Sequence, residues 1–428
     1  MNFIRLITIF ISFLTFSVGI ICCGTKNEKH YQTKFPAINE TLSNNYKALD
    51  INISNGYDSI NPNEYIGQSF NFSDLINDYE YLPLKLKNDE VLGAIDKILF
   101  NDSLIVVLDK YFTKSINIFS RQSGMQLLSL ASTGDGPSEF REIYDFDVDF
   151  EKQELFIHDG ALRKIIKFDF SGQFISEKKV NFRMGNFKIL PGERILNYTK
   201  HDPNDHLGSE AGFSELLITD ANLRVEASAF PFTEEETLND FYGRNYLDKK
   251  GDKVYIQPRF SEFIYEYIDS IQLLNPILKF KMEGRFLPEK ETFKPFDEFE
   301  EKVSNEKLYF TNGQYFFTNN GWFGYRFAKL GYGIKEMMVF YNKNSKSFLG
   351  GDNFNMDING LILFSFPINT YKDEGVGVIE PDVIKSITDE NYIKMLQSNG
   401  KYGDKIKNLF REIGNDFDDQ VLVFYKFK

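Results

Sequence analysis

Cysteine is almost missing from this chain: 428 residues contain two, Cys22 and Cys23, side by side near the start. A mature body without cysteine has no internal disulfide and no thiol nucleophile, so its stability has to come from burial. Tryptophan occurs once, as Trp322, and histidine four times, at His30, His158, His201 and His206. His201 and His206 share the run HDPNDH, but no third ligand stands beside them, which argues against a zinc site. G-x-S-x-G, H-E-x-x-H and P-loop patterns are absent. That weakens an enzyme reading without excluding it, because active sites on some folds are assembled from scattered loops. Positive charge is also in deficit: 49 Lys and Arg face 62 Asp and Glu, for a formal net charge of −13. Such a balance argues against the concentrated basic surface that nucleic acid requires, so no nucleic-acid partner is expected.

What is present begins with a targeting segment over residues 1–22. Arg5 supplies its positive end and Leu6 to Ile21 its apolar stretch, too short and wrongly flanked for a membrane span. The stretch ends at Cys22-Cys23-Gly24, which resembles the lipobox of a bacterial lipoprotein signal. Lipidation is expected on Cys23 or Cys22; Cys22 before Cys23 better fits the small residue that normally precedes the cut. A plain secretory signal or an uncleaved anchor are the alternatives. In each case the protein is exported to the cell envelope. The lipid anchor would make the membrane a partner, with the outer membrane as the expected address. Residues 23–75 are polar and aperiodic (KNEKHYQTK, NETLSNN, NPNEY), and a flexible tether is expected there.

From about Asp78 onward, short strand signals come in groups. Aromatics make up 16% of the chain, with 44 Phe and 23 Tyr, which suits many short strands better than helical bundles. One group comprises Ile95–Phe100, Leu104–Asp109, Ser115–Ser120 and Gln126–Ala131. A second comprises Tyr144–Asp149, Glu154–Asp159, Lys164–Phe170 and Gln173–Val180. In both, a strand ending in Asp is followed by an I-x-x-F strand and a Ser-Gly turn. Weaker groups continue to the C-terminus at a spacing of roughly 58 residues. Four-stranded units repeated in this way predict an all-β, six-bladed β-propeller over residues 76–428. One small sheet cannot bury both faces alone, and packing sheets around an axis buries them. Residues 381–415 carry helical periodicity, Ile384, Ile387, Tyr392 and Leu396 and then Ile406, Phe410 and Ile413, and are expected to form a helical insertion of two helices in the last blade. The charged run Glu289–Lys302 is expected to be an exposed connection. Pairing of Val421–Phe427 with Tyr79–Leu86 would close the ring.

The run Gly134-Asp135-Gly136-Pro137-Ser138-Glu139-Phe140 resembles the G-x-G-P-G-E-[FY] turn of the six-bladed β-propeller lipoproteins of Bacteroidetes, relatives of NHL-type propellers. Ser138 stands where that pattern has its third glycine. Ile143 to Asp149 resembles the strand that follows the turn, with one register difference, and Leu422 to Phe427 resembles the closing strand. The resemblance implies a six-bladed ring from about Leu75 to Lys428 and assigns no reaction. In some related propellers a divalent cation sits on the axis.

Three sets of side chains stand out as candidate sites. Asp145, Asp147 and Asp149 project from one strand face and could hold Ca²⁺, the one cofactor the sequence suggests. Same-face residues lie roughly 7 Å apart, so one ion would need a bulge to collect all three. Without a bulge they would cap turns or face solvent. Trp322, Tyr325 and Arg326, in the run NGWFGYR, could stack on sugar rings and bind carboxylates, or could be strand core. Tyr242 and Arg244, with Tyr246, form a weaker cluster of the same kind. The expected role is a non-catalytic binding or scaffolding module for a glycan, peptide or protein partner. The alternative is a metal-dependent hydrolase, lactonase or lyase with its site on the central axis.

Overall fold

The computed structural model describes residues 35–428 apart from 36–37, 55, 88–89, 132, 235, 237–246, 289–295, 331–334, 359–360, 362–363, 399, 401–402 and 415–419. The targeting segment, both cysteines, His30, Tyr242, Arg244 and Tyr246 lie outside the described residues. Strands alternate with tight turns from residue 97 onward and build consecutive antiparallel sheets. Blade 1 is Lys97–Phe100, Leu104–Asp109, Ser115–Ser120 and Gln126–Leu130, in that order from the axis outward. Blade 2 is Ile143–Asp149, Glu154–Asp159, Lys164–Asp169 and Phe174–Lys179. Blades 3, 4 and 5 repeat the meander from Asn186, Leu247 and Tyr309. The chain is a six-bladed β-propeller.

Side-chain alternation explains how these strands come to be apolar on both sides. In Leu104–Asp109, Ile105 and Val107 pack with Leu82, Val376, Leu422 and Phe424 of blade 6. Their neighbours Val106 and Leu108 point the other way, onto Phe146, Leu155 and Ile157 of blade 2. Further clusters of this kind join blades 2 and 3, 3 and 4, 4 and 5, and 5 and 6. Each sheet is therefore covered on both faces, the condition that favours near-continuous hydrophobic strands over polar alternation.

Blade 6 closes the ring with strands from both chain ends. Asn369–Tyr371 and Glu374–Ile379 pair with Val421–Phe427, and its outermost strand is Ile76–Pro83. Val423 lies opposite Tyr81 and Tyr425 opposite Tyr79. The expected closure holds, three residues earlier in the chain than the sequence suggested. The insertion in this blade comprises three helices, Pro381–Ile387, Glu390–Ser398 and Asp404–Ile413. Ile384, Ile387, Leu396, Ile406, Leu409 and Ile413 from them join the core of blades 5 and 6.

Two expectations are corrected. The run expected as an exposed connection leads into the helix Phe296–Asn305, whose Phe299 and Val303 are buried against Phe260 and Phe310. The polar region expected to be a flexible tether is, over much of residues 42–75, a strap on the outside of the ring. Leu42–Ala48 adds to the outer edge of blade 3 and Asp58–Ile60 to that of blade 4, both in parallel, and Ser69–Asn71 pairs with Asn353–Asn355 just beyond blade 5. Leu49 N donates to Ser228 O at 2.8 Å, and Tyr46 and Ser228 share a 2.8 Å hydroxyl contact. Ile60, Phe70, Phe72 and Leu75 are fully buried. A segment that only adds to an edge needs few apolar residues, which is why its sequence looks unstructured.

Candidate binding face at the axial mouth

In each blade the innermost strand runs along the axis, so its side chains fill the centre. In blades 1 to 4 several of them are charged, and most of these are paired. Lys97 Nζ of blade 1 meets Asp145 Oδ1 of blade 2 at 2.7 Å. The other Asp145 oxygen accepts from Phe187 N of blade 3 at 2.9 Å. Asp147 accepts from Ile189 N at 2.8 Å and pairs with Lys188 Nζ at 3.5 Å. In blade 4, Lys249 Nζ donates to Ile189 O, and Lys250 pairs with Asp248 at 3.1 Å and donates to Thr370 O of blade 6 at 2.6 Å. Thr370 Oγ1 in turn donates to Phe317 O of blade 5 at 2.6 Å. These contacts stitch all six blades together at the centre. Burial pushes the Asp145 carboxyl up, but the Lys97 ammonium and the Phe187 amide more than offset it and hold the group below the usual carboxylate range.

The three aspartates singled out from the sequence thus sit on one strand but do not converge on a common point. Asp145 and Asp147 are buried and held by lysines and amides, while Asp149 accepts from Glu151 N and Lys152 N in the turn that follows. Among the described residues no group of three His, Cys, Asp or Glu is placed to hold a metal ion.

The NGWFGYR cluster is also placed differently from a stacking platform. Trp322 is buried between blades 5 and 6, with its indole N–H donating to Lys428 O at 2.7 Å. Tyr325 is fully buried in the opposite interface, and its hydroxyl donates to Gln257 Oε1 at 2.7 Å. Arg326 is buried and paired with Glu336 at 2.8 Å. These residues lie on a strand covered on both faces, so alternation sends Trp322 to one neighbour and Tyr325 to the other, and neither ring is open to a ligand.

His201 of the HDPNDH run is tied to the buried Glu215, and His206 Nε2 bonds Asn181 O at 2.9 Å while its ring stacks on Phe35. These partners anchor the loop. The Gly134–Phe140 turn is likewise structural. Glu139 folds back to accept from Gly136 N at 2.7 Å, and Gly134 N donates to Phe140 O at 3.2 Å. A Cβ at Gly134 would collide with the Glu139 carboxylate, which accounts for the glycine there. Ser138 adopts φ of 67°, the left-handed region that the absent glycine would occupy without strain.

An assembly that sequence reasoning did not single out lies where the loops after the second strands meet the axis. The antiparallel meander puts these loops and the inter-blade connections on one face. The loop after Asp109 presents Lys110, Tyr111 and Phe112 there. Tyr111 is 59% exposed and Phe112 65% exposed. The loop is nonetheless fixed. Fully buried Asp109 accepts from Gly93 N at 2.8 Å, Phe112 N at 3.0 Å and Thr113 Oγ1 at 2.9 Å, and Lys110 N donates to Asp96 Oδ2 at 2.8 Å. Phe112 lies close over Gly93, where an added Cβ would come within 2.5 Å of it.

Beside this tip, aromatic rings and ammonium groups alternate across three blades. Lys110 Nζ lies 5.3 Å from the Tyr111 ring centre and 4.0 Å from that of Tyr144 in blade 2. Lys200, from the matching loop of blade 3, lies 5.3 Å from the same Tyr144 ring. Arg259 of blade 4 donates to Lys200 O at 2.7 Å. Burial, and then the nearby Lys110 charge, bring the Lys200 ammonium down to about 8; burial also lowers Lys110. His158, buried against Tyr144, is pushed down to about 4 by burial. The signal available in the sequence was the pair of large aromatics placed in a turn, one residue beyond the Asp that ends a strand.

The family described as Domain of unknown function (DUF4934) matches residues 57–426. The chain belongs to this family. Among solved structures, this DUF4934 protein is similar to a Bacteroides fragilis protein described as exported, with a TM-score of 0.62 at 18% identity over 84% of this chain and 99% of the other. A member of the DUF4221 family from Bacteroides vulgatus has a TM-score of 0.49 at 11% identity, covering 83% and 97% of the two chains. The first likeness supports the fold. None of the curated proteins matches the chain. Among the described residues, no helix is long and apolar enough to cross a membrane.

Proposed function

We propose that this DUF4934 protein is an exported, lipid-anchored binding module of the cell envelope that holds its ligand at the axial mouth. The observation that carries this reading is the fixed, exposed pair Tyr111 and Phe112 beside the Lys110–Tyr144–Lys200 row. Exposed aromatics on a rigid loop give contact area at little entropic cost. Export is supported by the targeting segment and by the exported Bacteroides fragilis neighbour, and the anchor by the resemblance of Cys22-Cys23-Gly24 to a lipobox. The axial carboxylates Asp145, Asp147 and Asp248 pair with lysines, which favours binding over metal-dependent hydrolysis or elimination.

Titration calorimetry of oligosaccharides and peptides against wild type and the Tyr111→Ala/Phe112→Ala double variant tests the face. A ligand that loses tenfold or more in affinity supports it; a ligand bound equally by both proteins places the site elsewhere. Labelling with a lipid precursor in Cys22→Ser and Cys23→Ser variants tests the anchor: one substitution should abolish incorporation, and no labelling of wild type overturns the anchor.

A further inference from the structure

We infer that the outer edge of blade 2 is a strand-acceptor site, filled in parallel by the chain's own residues 29–34. The strap described above visits the blades in ring order. Leu42–Ala48 lies on blade 3, Ile51 and Asp58–Ile60 on blade 4, and Ser69–Asn71 just beyond blade 5; after blade 6, Lys85 bridges to Met125 at the edge of blade 1. Each of these pairings is parallel. The blade that precedes blade 3 in this order is blade 2, and its edge is open. Among the described residues its outer strand Phe174–Lys179 pairs only with Lys164–Asp169 of its own blade. Val180 N donates to Arg163 O at 2.8 Å, so by alternation the N–H groups of Glu177 and Lys179 point outward. Among the described residues no acceptor meets them there. Phe174 and Ile175 are 40% and 43% exposed on the same strand. An unpaired edge carrying exposed apolar side chains is a template for another strand.

The place where the chain enters the strap selects the occupant. The Phe35 ring stacks on His206 of blade 3, 4.1 Å between ring centres, and the Arg163 guanidinium of blade 2 lies 4.8 Å from it. Arg163 is the residue bonded to Val180, so Phe35 stands beside the last residues of the blade 2 edge, on the face of the axial mouth. A parallel strand leading into Phe35 runs residues 29–34 along Phe174–Lys179, at about 3.3 Å per residue on both. Their sequence, KHYQTK, suits the position: Tyr31 and Thr33 alternate with Gln32 and Lys34, and Pro36 biases Phe35 before it toward extended backbone. The run is as polar as Leu42–Ala48, which adds to blade 3 in the same way. Such a strand starts at the face opposite the mouth. With the lipid on Cys22 or Cys23, the mouth would then face away from the membrane. That consequence rests on the anchor proposed above, whereas the strand does not.

The test is amide hydrogen exchange on the full chain and on its Gln32→Pro/Thr33→Pro variant. Two consecutive prolines ensure that one of them replaces a bonding N–H, because bonding residues alternate along a strand. The Glu177 and Lys179 amides should exchange at least tenfold more slowly in wild type than in the variant. Disulfide closure gives a second reading, in a Cys22→Ser/Cys23→Ser background. Thr33→Cys should close within one chain with Lys178→Cys or with Lys179→Cys, and should not close with Leu127→Cys on blade 1. Equal exchange in wild type and variant, or failure of both blade 2 pairs to close, overturns the strand. Protection that grows with protein concentration and survives the prolines assigns the edge to a second copy and overturns it as well. Loss of the lipid-labelling result with the exchange difference intact would remove the anchor and leave the strand standing.

Discussion

Asp109 and Asp159 occupy the same station one blade apart. Each ends the second strand of its blade, each is fully buried, and each accepts backbone N–H groups from two separate segments. Asp109 takes Gly93 N and Phe112 N, whereas Asp159 takes Arg141 N and Leu162 N at 2.8 and 2.9 Å. One carboxylate thereby fastens the incoming connection to the loop that follows the strand. The recurring Asp legible in the sequence is a staple between two loops, repeated because the blades are repeated.

Removing either staple leaves buried amides without acceptors, so Asp159→Ala should cost about 2–4 kcal/mol. Asp109→Ala should cost a similar amount and should also free the Tyr111–Phe112 tip. Urea denaturation reads the stability, and hydrogen exchange at residues 110–114 reads the tip. Rapid exchange there in Asp109→Ala but not in Asp159→Ala is the expected contrast.

The turn before blade 2 gives a prediction of opposite sign. Ser138 holds a left-handed backbone without being glycine, so Ser138→Gly should raise stability by roughly 0.5 kcal/mol. Gly134→Ala should lower it by about 1–3 kcal/mol, because the Glu139 carboxylate must leave Gly136 N. The effect of Gly134→Ala should shrink when Glu139 is already alanine, a coupling that a double-mutant cycle measures.

Trp322→Ala and Tyr325→Ala should behave as core truncations, each costing about 3–5 kcal/mol in the melting of the whole ring. Ligand affinity measured on the folded fraction should stay within a factor of two, since both rings are buried between blades and neither is open to a ligand.

The pH dependence of stability should show His158. Its folded value near 4, set by burial, lies below the 6.5 of an unfolded histidine. Between these values the unfolded chain binds the extra proton, so stability should be complete above about pH 6.5 and fall as pH drops toward 4. The full loss from this group would be on the order of 3 kcal/mol. Melts at pH 7 and pH 4.5 should differ less in His158→Gln than in wild type.

The two chain ends make unequal contributions. A chain ending at residue 420 lacks the third strand of blade 6 and should not fold, as circular dichroism would show. A chain beginning at residue 50 loses the strand on blade 3's edge, the helix Ile38–Thr41 and the Phe35 ring on His206, but no blade strand, and should fold with a lower melting temperature.

Blade strands were legible because strand periodicity recurs along the chain and, in the first two blades, Ser-Gly turns and a terminal Asp recur as well, as in Leu104–Asp109 and Glu154–Asp159. The strap was not, because Leu42–Ala48 adds to an edge through backbone hydrogen bonds and mixes exposed with half-buried residues. Asp145 and Asp147 were recognised as sharing one strand face, yet their partners Lys97 and Lys188 are 48 and 41 residues away (145 − 97 and 188 − 147). No local pattern announces such pairing. Trp322 and Tyr325 misled for a related reason: chemistry suited to sugars is equally suited to a core, and only the two neighbouring blades decide between them. The Lys110–Tyr144–Lys200 row escaped notice because its members come from three blades and meet only at the axis.

The most direct test of the account is a Ca²⁺ titration of purified protein, with metal content measured by mass spectrometry. Because Lys97, Lys188 and Lys250 already neutralise the axial aspartates, less than 0.1 equivalent of divalent metal should co-purify and Ca²⁺ at 1 mM should not shift the melting temperature, on the order-of-magnitude expectation that bound metal adds stability by mass action. One equivalent of tightly held metal, lost in Asp145→Asn or Asp147→Asn, would contradict the ion-paired axis and restore the enzymatic reading.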